Sequence, residues 1–321
     1  MVKILANDGI DAIGKTLLEN AGFFVETNKA PEGQLIQTIN EGNFEVVLVR
    51  SATKITAEVM DSCPGIRLIG RAGVGLDNID TRHADTRGIQ VFNTPAASSQ
   101  SVAELVFSHL FAGVRWLQDA NHTMRTVGNT QFNGLKKTYS AGIELQGKTL
   151  GIVGFGRIGQ AVARMAIGMG MKVIATDPFI QEVNLELNIA QTGQKISIPI
   201  QTVSFDTVIA QSDFLSLHVP GKVNGKAVLG ADELSRMKKG AGVVNAARGG
   251  VIDEDALLQA LNTGQLSFAG LDVFENEPTP REDLLVHPKI SVSPHIGAST
   301  AEAQERIATE LAQYIIRYYA R

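Results

Sequence analysis

Residues 142 to 159 read GIELQGKTLGIVGFGRIG, and two phosphate-binding signatures overlap there. Gly142 to Thr149 fits the triphosphate pattern GxxxxGK(S/T), while Gly154 to Gly159 fits the dinucleotide pattern GxGxxG. They demand different folds. A triphosphate loop leaves a strand and opens a helix at its Lys-Thr pair, so that backbone amides face the phosphates. Here the residues before it, NGLKKTYSA, are polar, and those after it, TLGIVGFG, are β-branched and carry three glycines, a poor first helical turn. For GFGRIG the context agrees on both sides. Strand-like TLGIV leads in, and RIGQAVARMAIGM leads out with Ile158, Val162, Met165 and Met169 on one helical face.

A strand–loop–helix of this kind is the opening of a doubly wound, parallel α/β unit that binds a dinucleotide. Gly154, Phe155, Gly156, Arg157, Ile158 and Gly159 would wrap the pyrophosphate, Gly154 making the tight turn, Gly156 admitting the phosphates and Gly159 letting helix and strand pack closely. The next strand-like run, MKVIATD, ends in Asp177, eighteen residues past Gly159. A carboxylate there accepts from the adenosine ribose 2′-OH and repels a 2′-phosphate, which favours NAD over NADP.

The rest of the chain divides around this unit. In the first ~95 residues VKILA, FFVET, EVVLV, RLIGR and IQVFN alternate with helix-period segments, which implies a parallel sheet of their own. A helix-like segment runs from Ser98 to about Thr126. Then KTLGIVG, MKVIATD, FLSLHV, GVVNA and FAGLDV alternate with helical segments in a second α/β unit. Residues 184 to 202 are polar with β-branched positions and read as a surface insertion or extra hairpin. The last segment, STAEAQERIATELAQYIIRYY, carries Ser299 and Glu302 as an S-x-x-E capping box. Packing that helix back on the first unit gives a discontinuous domain, 1–98 with 295–321, around a central domain, 99–294. The expected fold class is therefore α/β with two doubly wound parallel-sheet domains.

Composition narrows the function classes. With 44% hydrophobic and 19% charged residues and a net charge of −4, the chain has no basic field for nucleic acid. No run of 18 apolar residues exists to span a membrane, and the N-terminus lacks a signal-peptide core. The single cysteine, Cys63, excludes an internal disulfide and reads as a packed residue rather than a reactive thiol. No metal is expected, because no histidine pair has ligand spacing. A cytoplasmic setting fits these features.

In an open parallel sheet, ligands bind beyond the carboxyl ends of the strands. Arg248 follows GVVNA, Asp272 and Glu277 follow FAGLDV, and His295 follows ISVSP, which places all four on the edge that carries GFGRIG. An arginine, a carboxylate and a histidine beside a nicotinamide suit hydride transfer to or from a hydroxy acid carbon. The guanidinium grips the substrate carboxylate, and the imidazole exchanges the hydroxyl proton while Glu277 hydrogen-bonds it. His218 also ends a strand of this sheet and lines the cofactor site. His83, His109, His122 and His287 read as structural.

With GFGRIG, NAARGG, LDVFENEP and SPHIGAST in order, the chain resembles the D-isomer-specific 2-hydroxyacid dehydrogenases. The resemblance implies a formate-dehydrogenase-like two-domain fold, NAD as cofactor, a homodimer or homotetramer, and Arg248, Glu277 and His295 as catalytic residues. It also implies cofactor contacts from Val74, His218, Val219, Pro220, Ala246, Ala247, Arg248, Asp272, His295, Gly297 and Ala298. Within the family VRSATKIT, GRAGVGLDNID and VFNTPAASSQSVAEL most resemble members acting on a phosphorylated 2-hydroxy acid. Arg50, Ser51, Arg71, Gly73, Val74 and Gln304 would then surround that small-molecule substrate. Two departures stand out: GKVNGKAVLG follows HVP in place of the usual stretch, and the 184–202 insertion lengthens the region after Asp177. The end at Arg321 leads to the expectation of no regulatory domain. An unphosphorylated 2-hydroxy acid and an NAD-sensing scaffold of the same fold are the competing readings.

Overall fold

The computed structural model describes residues 1–320, and the chain separates into two compact units, Met1–Ser99 with the segment from Ala298, and Gln100–Gly297. In the first unit β1 (Lys3–Ala6), α1 (Ala12–Asn20), β2 (Phe24–Glu26), α2 (Leu35–Gly42), β3 (Val46–Val49), α3 (Ala57–Ser62), β4 (Leu68–Arg71), α4 (Thr81–Thr86) and β5 (Gln90–Asn93) alternate. All pairs are parallel, in the order β2-β1-β3-β4-β5. Alternate strand residues face opposite layers. Leu5, Val47 and Ile69 meet Ile39, Met60 and Ala84 of α2 to α4. Ile4, Val46 and Leu68 meet Leu18 of α1 and Ile307, Leu311 and Ile315 of α12 (Ala301–Tyr319). Because both faces are buried, the strands read as unbroken apolar runs instead of alternating ones.

The helix α12 returns to the first unit, with Tyr314 stacked on Phe92 at 3.9 Å and the Arg306 Nε donating to Ala97 O at 2.9 Å. Its cap differs from the expected Ser299–Glu302 box. Thr300 is the last extended residue (φ −102°, ψ 155°), so its hydroxyl accepts from Ala303 N at 3.2 Å, and Glu302 falls in the first turn, where a carboxylate complements the helix dipole.

The second unit comprises α5 (Ser99–Val114), α6 (Leu117–Thr138), β6 (Thr149–Val153), α7 (Arg157–Gly168), β7 (Lys172–Thr176), β8 (Glu182–Ile189), β9 (Gln194–Gln201), α8 (Phe205–Gln211), β10 (Phe214–Leu217), α9 (Ala231–Arg236), β11 (Ala241–Asn245), α10 (Glu254–Asn262), β12 (Leu266–Leu271), α11 (Glu282–Leu285) and β13 (Ile290–Val292). Its six-stranded parallel sheet has the order β13-β12-β11-β10-β6-β7. Leu150, Ile152 and Phe214 bury against α5 and α7, while Leu215, Val243 and Leu271 bury against α8 to α10.

Two details depart from simple alternation. The helix expected over 98–126 is two: the apolar period stops at Val114, Trp116 takes a left-handed conformation (φ 48°), and the largely polar α6 starts afresh at Leu117. Residues 182–201 form an antiparallel hairpin, β8 with β9, whose Val183–Ile200, Leu185–Ile198 and Leu187–Ile196 pairs share one face. Leu185 is fully buried, and with Val183 and Ile200 it seats the proximal half on the core.

Candidate active site

The turn from β6 into α7 resolves the overlap of phosphate signatures. Lys148 lies in a turn and Thr149 begins β6, so the GxxxxGK(S/T) match opens no helix. Gly154 has φ +91°, and a Cβ there would stand 2.4 Å from His218 O; a Cβ on Gly159 would stand 2.2 Å from Gly154 O. Nothing lies within 4 Å of the position a Gly156 Cβ would take, and Gly156 caps α7 with no side chain. Open space before an uncapped helix N-terminus suits a diphosphate, whose oxygens accept from the first-turn amides.

Asp177, just past β7, supports this loop from behind. Its Oδ2 accepts from Phe155 N at 2.8 Å, and its Oδ1 accepts from Phe179 N and Ile180 N at 2.9 and 3.1 Å. The carboxylate therefore orders both the glycine loop and its own turn. His218, just past β10, bonds Ser216 Oγ through Nε2 at 2.8 Å, and burial pushes its imidazole down to about 3. Its Nδ1 is a buried nitrogen with no protein partner, beside the loop that Gly154 opens. An orphan polar atom here fits a bound polar ligand. Val219 is half-buried and Pro220 exposed; beyond them Lys222 pairs with Glu275 at 2.9 Å. The replacement after HVP thus straps itself to the LDVFENEP segment.

At the end of β11, Asn245 shapes the turn that carries Arg248. Its Oδ1 accepts from Ala247 N at 3.1 Å and its Nδ2 donates to Arg248 O at 2.9 Å, while Arg248 Nη1 donates to Ala247 O at 2.7 Å. Ala246, Ala247 and Arg248 are all half-buried at the carboxyl edge.

The His295 loop beyond β13 is the most constrained part of the edge. His295 Nδ1 lies 2.8 Å from Glu277 Oε2, and Glu277 is oriented in turn by accepting from Phe274 N at 3.0 Å through Oε1. With a carboxylate holding the Nδ1 proton, Nε2 is the nitrogen presented for proton exchange. Both side chains remain more than a third exposed. His295 itself has φ +53°, an uncommon conformation for a residue with a Cβ. Asp272 enforces it: its backbone O accepts from His295 N at 2.8 Å, its Oδ1 from Ile296 N at 2.9 Å, and its Oδ2 from Gly297 N at 2.8 Å. Those bonds keep residues 295–297 with the second unit, whose observed division lies at 297/298, against 294/295 expected from sequence. An apolar hollow of about 410 Å³ lies beside the pair, lined by Phe274, Pro278, Leu285, Val292 and Pro294 together with His295 and Glu277.

Of the first-unit residues, Arg50 and Ser51 leave β3 while Arg71, Gly73 and Val74 end or follow the neighbouring β4, so they share one carboxyl edge. The Arg50 loop is held by Asp8, whose Oδ2 accepts from Arg50 N and Thr53 N at 2.8 and 3.2 Å, and by Asn78, which donates to Arg50 O at 2.8 Å. Gly73 N donates to Thr94 Oγ1 at 2.8 Å. Gln304 Nε2 donates to Ala298 O at 2.8 Å, a local bond that straps the entry into α12. Cys63 is buried, which raises its thiol, and it contacts Ile36 O. Among the described residues no cluster of histidine, cysteine and acidic side chains suits a metal, and no helix is long and apolar enough to cross a membrane.

Sequence reasoning assigned His109 a structural place and missed its partners. It is buried on α5 and contacts Ser291 Oγ and Ser293 Oγ at 2.8 and 3.0 Å, residues more than 180 positions away.

Comparison with known proteins agrees with this geometry. Residues 107–297 match the NAD-binding domain model of the D-isomer specific 2-hydroxyacid dehydrogenases. The chain is 41% identical to a hydroxypyruvate reductase of Thermotoga maritima over 98% of its own length and 97% of that protein. It is 39% identical to a D-3-phosphoglycerate dehydrogenase of Methanocaldococcus jannaschii over 98% of its own length, but spans only 57% of that protein. Its fold matches a protein of Thermus thermophilus at 31% identity, with a TM-score of 0.80 covering 97% of this chain and 94% of the other. It also matches the NAD-dependent formate dehydrogenase of Staphylococcus aureus in complex with NAD, at 26% identity and a TM-score of 0.77, covering 99% and 95%. With a glycine loop shaped for a dinucleotide and a His–Glu pair on the same sheet edge, the chain belongs to the NAD-dependent D-isomer specific 2-hydroxyacid dehydrogenases.

Proposed function

We propose that the chain oxidises a phosphorylated D-2-hydroxy acid, D-3-phosphoglycerate, to its 2-oxo acid, the entry reaction of serine synthesis. The observation that carries the chemistry is the His295–Glu277 pair at 2.8 Å. Gly154–Gly159, Asp177, Ala246, Ala247, Asp272, Gly297 and Ala298 would hold NAD, which when bound would supply the hydride acceptor. His218, Val219, Pro220 and Val74 complete its surroundings. Arg248 binds the substrate carboxylate and polarises the C2 oxygen. His295 Nε2 takes the hydroxyl proton, and the adjacent Glu277 carboxylate stabilises the imidazolium that results. In the reverse direction the same imidazolium returns the proton. The cations Arg50 and Arg71, with Ser51, Gly73 and Gln304, receive the phosphorylated end, which gives the discontinuous unit the role of a substrate domain. A homodimer or homotetramer completes the proposal.

A second reading is reduction of hydroxypyruvate, favoured by the near full-length match to the Thermotoga maritima enzyme. NADH production or consumption with a panel of 2-hydroxy and 2-oxo acids separates the two. In the same panel Arg50→Ala should lower kcat/KM for 3-phosphoglycerate by about 100-fold and for an unphosphorylated acid by only about 3-fold, because an ion-paired phosphate contact acts on one substrate alone. Equal losses on both substrates would remove Arg50 from the phosphate site.

A further inference from the structure

The proton inventory around His109 admits one arrangement. Ser293 has a single hydroxyl proton, and Asp272 Oδ1 receives it at 2.6 Å. Ser293 Oγ must therefore accept from His109 Nε2, 3.0 Å away, which places the imidazole proton on Nε2. His109 Nδ1 then carries a lone pair, and Ser291 Oγ, 2.8 Å away, must donate to it. Burial lowers the His109 pKa, so the ring is held in this neutral form, against the pull of the Asp272 carboxylate. Its reach depends on Gly270 of β12, where a Cβ would stand 2.6 Å from the Cβ of His109; any other residue there would push α5 away.

The chain Ser291–His109–Ser293–Asp272 ends at the carboxylate that holds Ile296 N and Gly297 N, and with them the left-handed turn at His295. Both lone pairs of Asp272 Oδ1 are then used, one by Ser293 and one by Ile296, which leaves the carboxylate no freedom to rotate. We propose that His109 is a positioning residue for proton transfer: through the Ser293 hydroxyl it locks Asp272, and through Asp272 it sets where the His295 imidazole stands. This rests on the reading of His295 as the proton-transfer group. No contact between His109 and the reacting atoms is required.

The test compares His109→Leu, His109→Gln, Ser293→Ala, the double variant His109→Leu/Ser293→Ala and, as reference, His295→Ala. For each, kcat, both KM values, NADH affinity by fluorescence and the melting temperature are measured. Loss of the oriented hydrogen bond to Ser293, the one of its two that reaches Asp272, predicts that His109→Leu lowers kcat about 10- to 30-fold while NADH affinity changes less than about 3-fold. Glutamine, which can donate to Ser293 and accept from Ser291, should recover most of the loss. The double variant should fall within about 2-fold of Ser293→Ala, since residues of one relay are not additive. A folded His109→Leu with parental kcat, a lowered melting temperature as its only change, or losses that multiply in the double variant would overturn the proposal. Should His109→Leu fail to fold, failure of His109→Gln to exceed Ser293→Ala in kcat would overturn it equally. If His295→Ala keeps its turnover, the active-site reading itself falls, whereas loss in His295→Ala beside a parental His109→Leu condemns the relay alone.

Discussion

Asp8 and Asp272 use the same device in two different sheets. Each follows the carboxyl end of a parallel strand, β1 or β12, and each gathers the amides and one hydroxyl of a loop from a neighbouring strand. Asp8 collects Arg50 N, Thr53 N and Thr53 Oγ1; Asp272 collects Ile296 N, Gly297 N and Ser293 Oγ. They differ in what stands behind them. Asp8 has the exposed Lys29 at 3.9 Å, and behind its Thr53 hydroxyl stands the buried amide of Asn7, its own neighbour in the chain, donating at 2.8 Å. Asp272 has the buried His109 acting through Ser293, a partner with one geometry. Both hydroxyls are thus backed by a buried donor, but the Asp8 loop takes its backing from the residue beside Asp8, whereas the Asp272 loop takes it from α5, far away in the chain.

Truncating each carboxylate breaks or sharpens that contrast. Asp272→Ala leaves three donors without their acceptor and releases the turn at His295. Its kcat should fall by about 1,000-fold or more, with a stability loss of about 3 kcal/mol seen in denaturant unfolding. Asp8→Ala loosens the Arg50 loop and should raise KM for the hydroxy acid by about 10-fold while kcat stays within about 3-fold. If the two variants showed the same split between KM and kcat, the distinction between the loops would be lost.

The smallest effect concerns acid. Burial holds His218 neutral in the folded chain, down to about 3 against an ordinary 6.5. The unfolded chain binds a proton below 6.5 that the folded chain refuses, so this group's contribution is intact above 6.5 and is lost as the pH falls from there toward 3. The slope reaches at most about 1.4 kcal/mol per pH unit. His218→Gln should therefore melt with a shallower pH dependence than the parent between pH 6 and 4, as about one proton less is taken up on unfolding. An unchanged slope would mean that the imidazole is protonated in the fold.

Much of this architecture was legible in the sequence because parallel strands buried on both faces are short apolar runs, and their ends carry the ligand. The context of GFGRIG, the strand after which Arg248 stands and the placement of His295 followed from that rule. What escaped was set by detail below the period of a strand or helix. Ser299 and Thr300 are both good caps, and only the extended backbone at Thr300 decides between them. The break at Trp116 lies where an apolar face gives way to a polar one, and composition alone runs across it. The partners of His109 are joined by tertiary folding only. Their sequence signal was nevertheless present: a histidine inside the apolar face of α5, and serines at 291 and 293, two apart in and just past the edge strand β13, three polar residues that had to find each other.

The hairpin of β8 and β9 has a consequence for how such a chain can vary. Its root is fastened, with Glu182 paired to Gln201 and Leu185 sunk into the core, while the pairs beyond Leu187 and Ile196 close on a turn at Gly193. Strand faces alternate with a period of two, so adding or removing two residues from each arm leaves every apolar side chain on its own side. The β7-to-α8 connection is thus a tab of adjustable length: its distal end can lengthen, shorten or carry a graft in even steps without a strand of the cofactor sheet changing register.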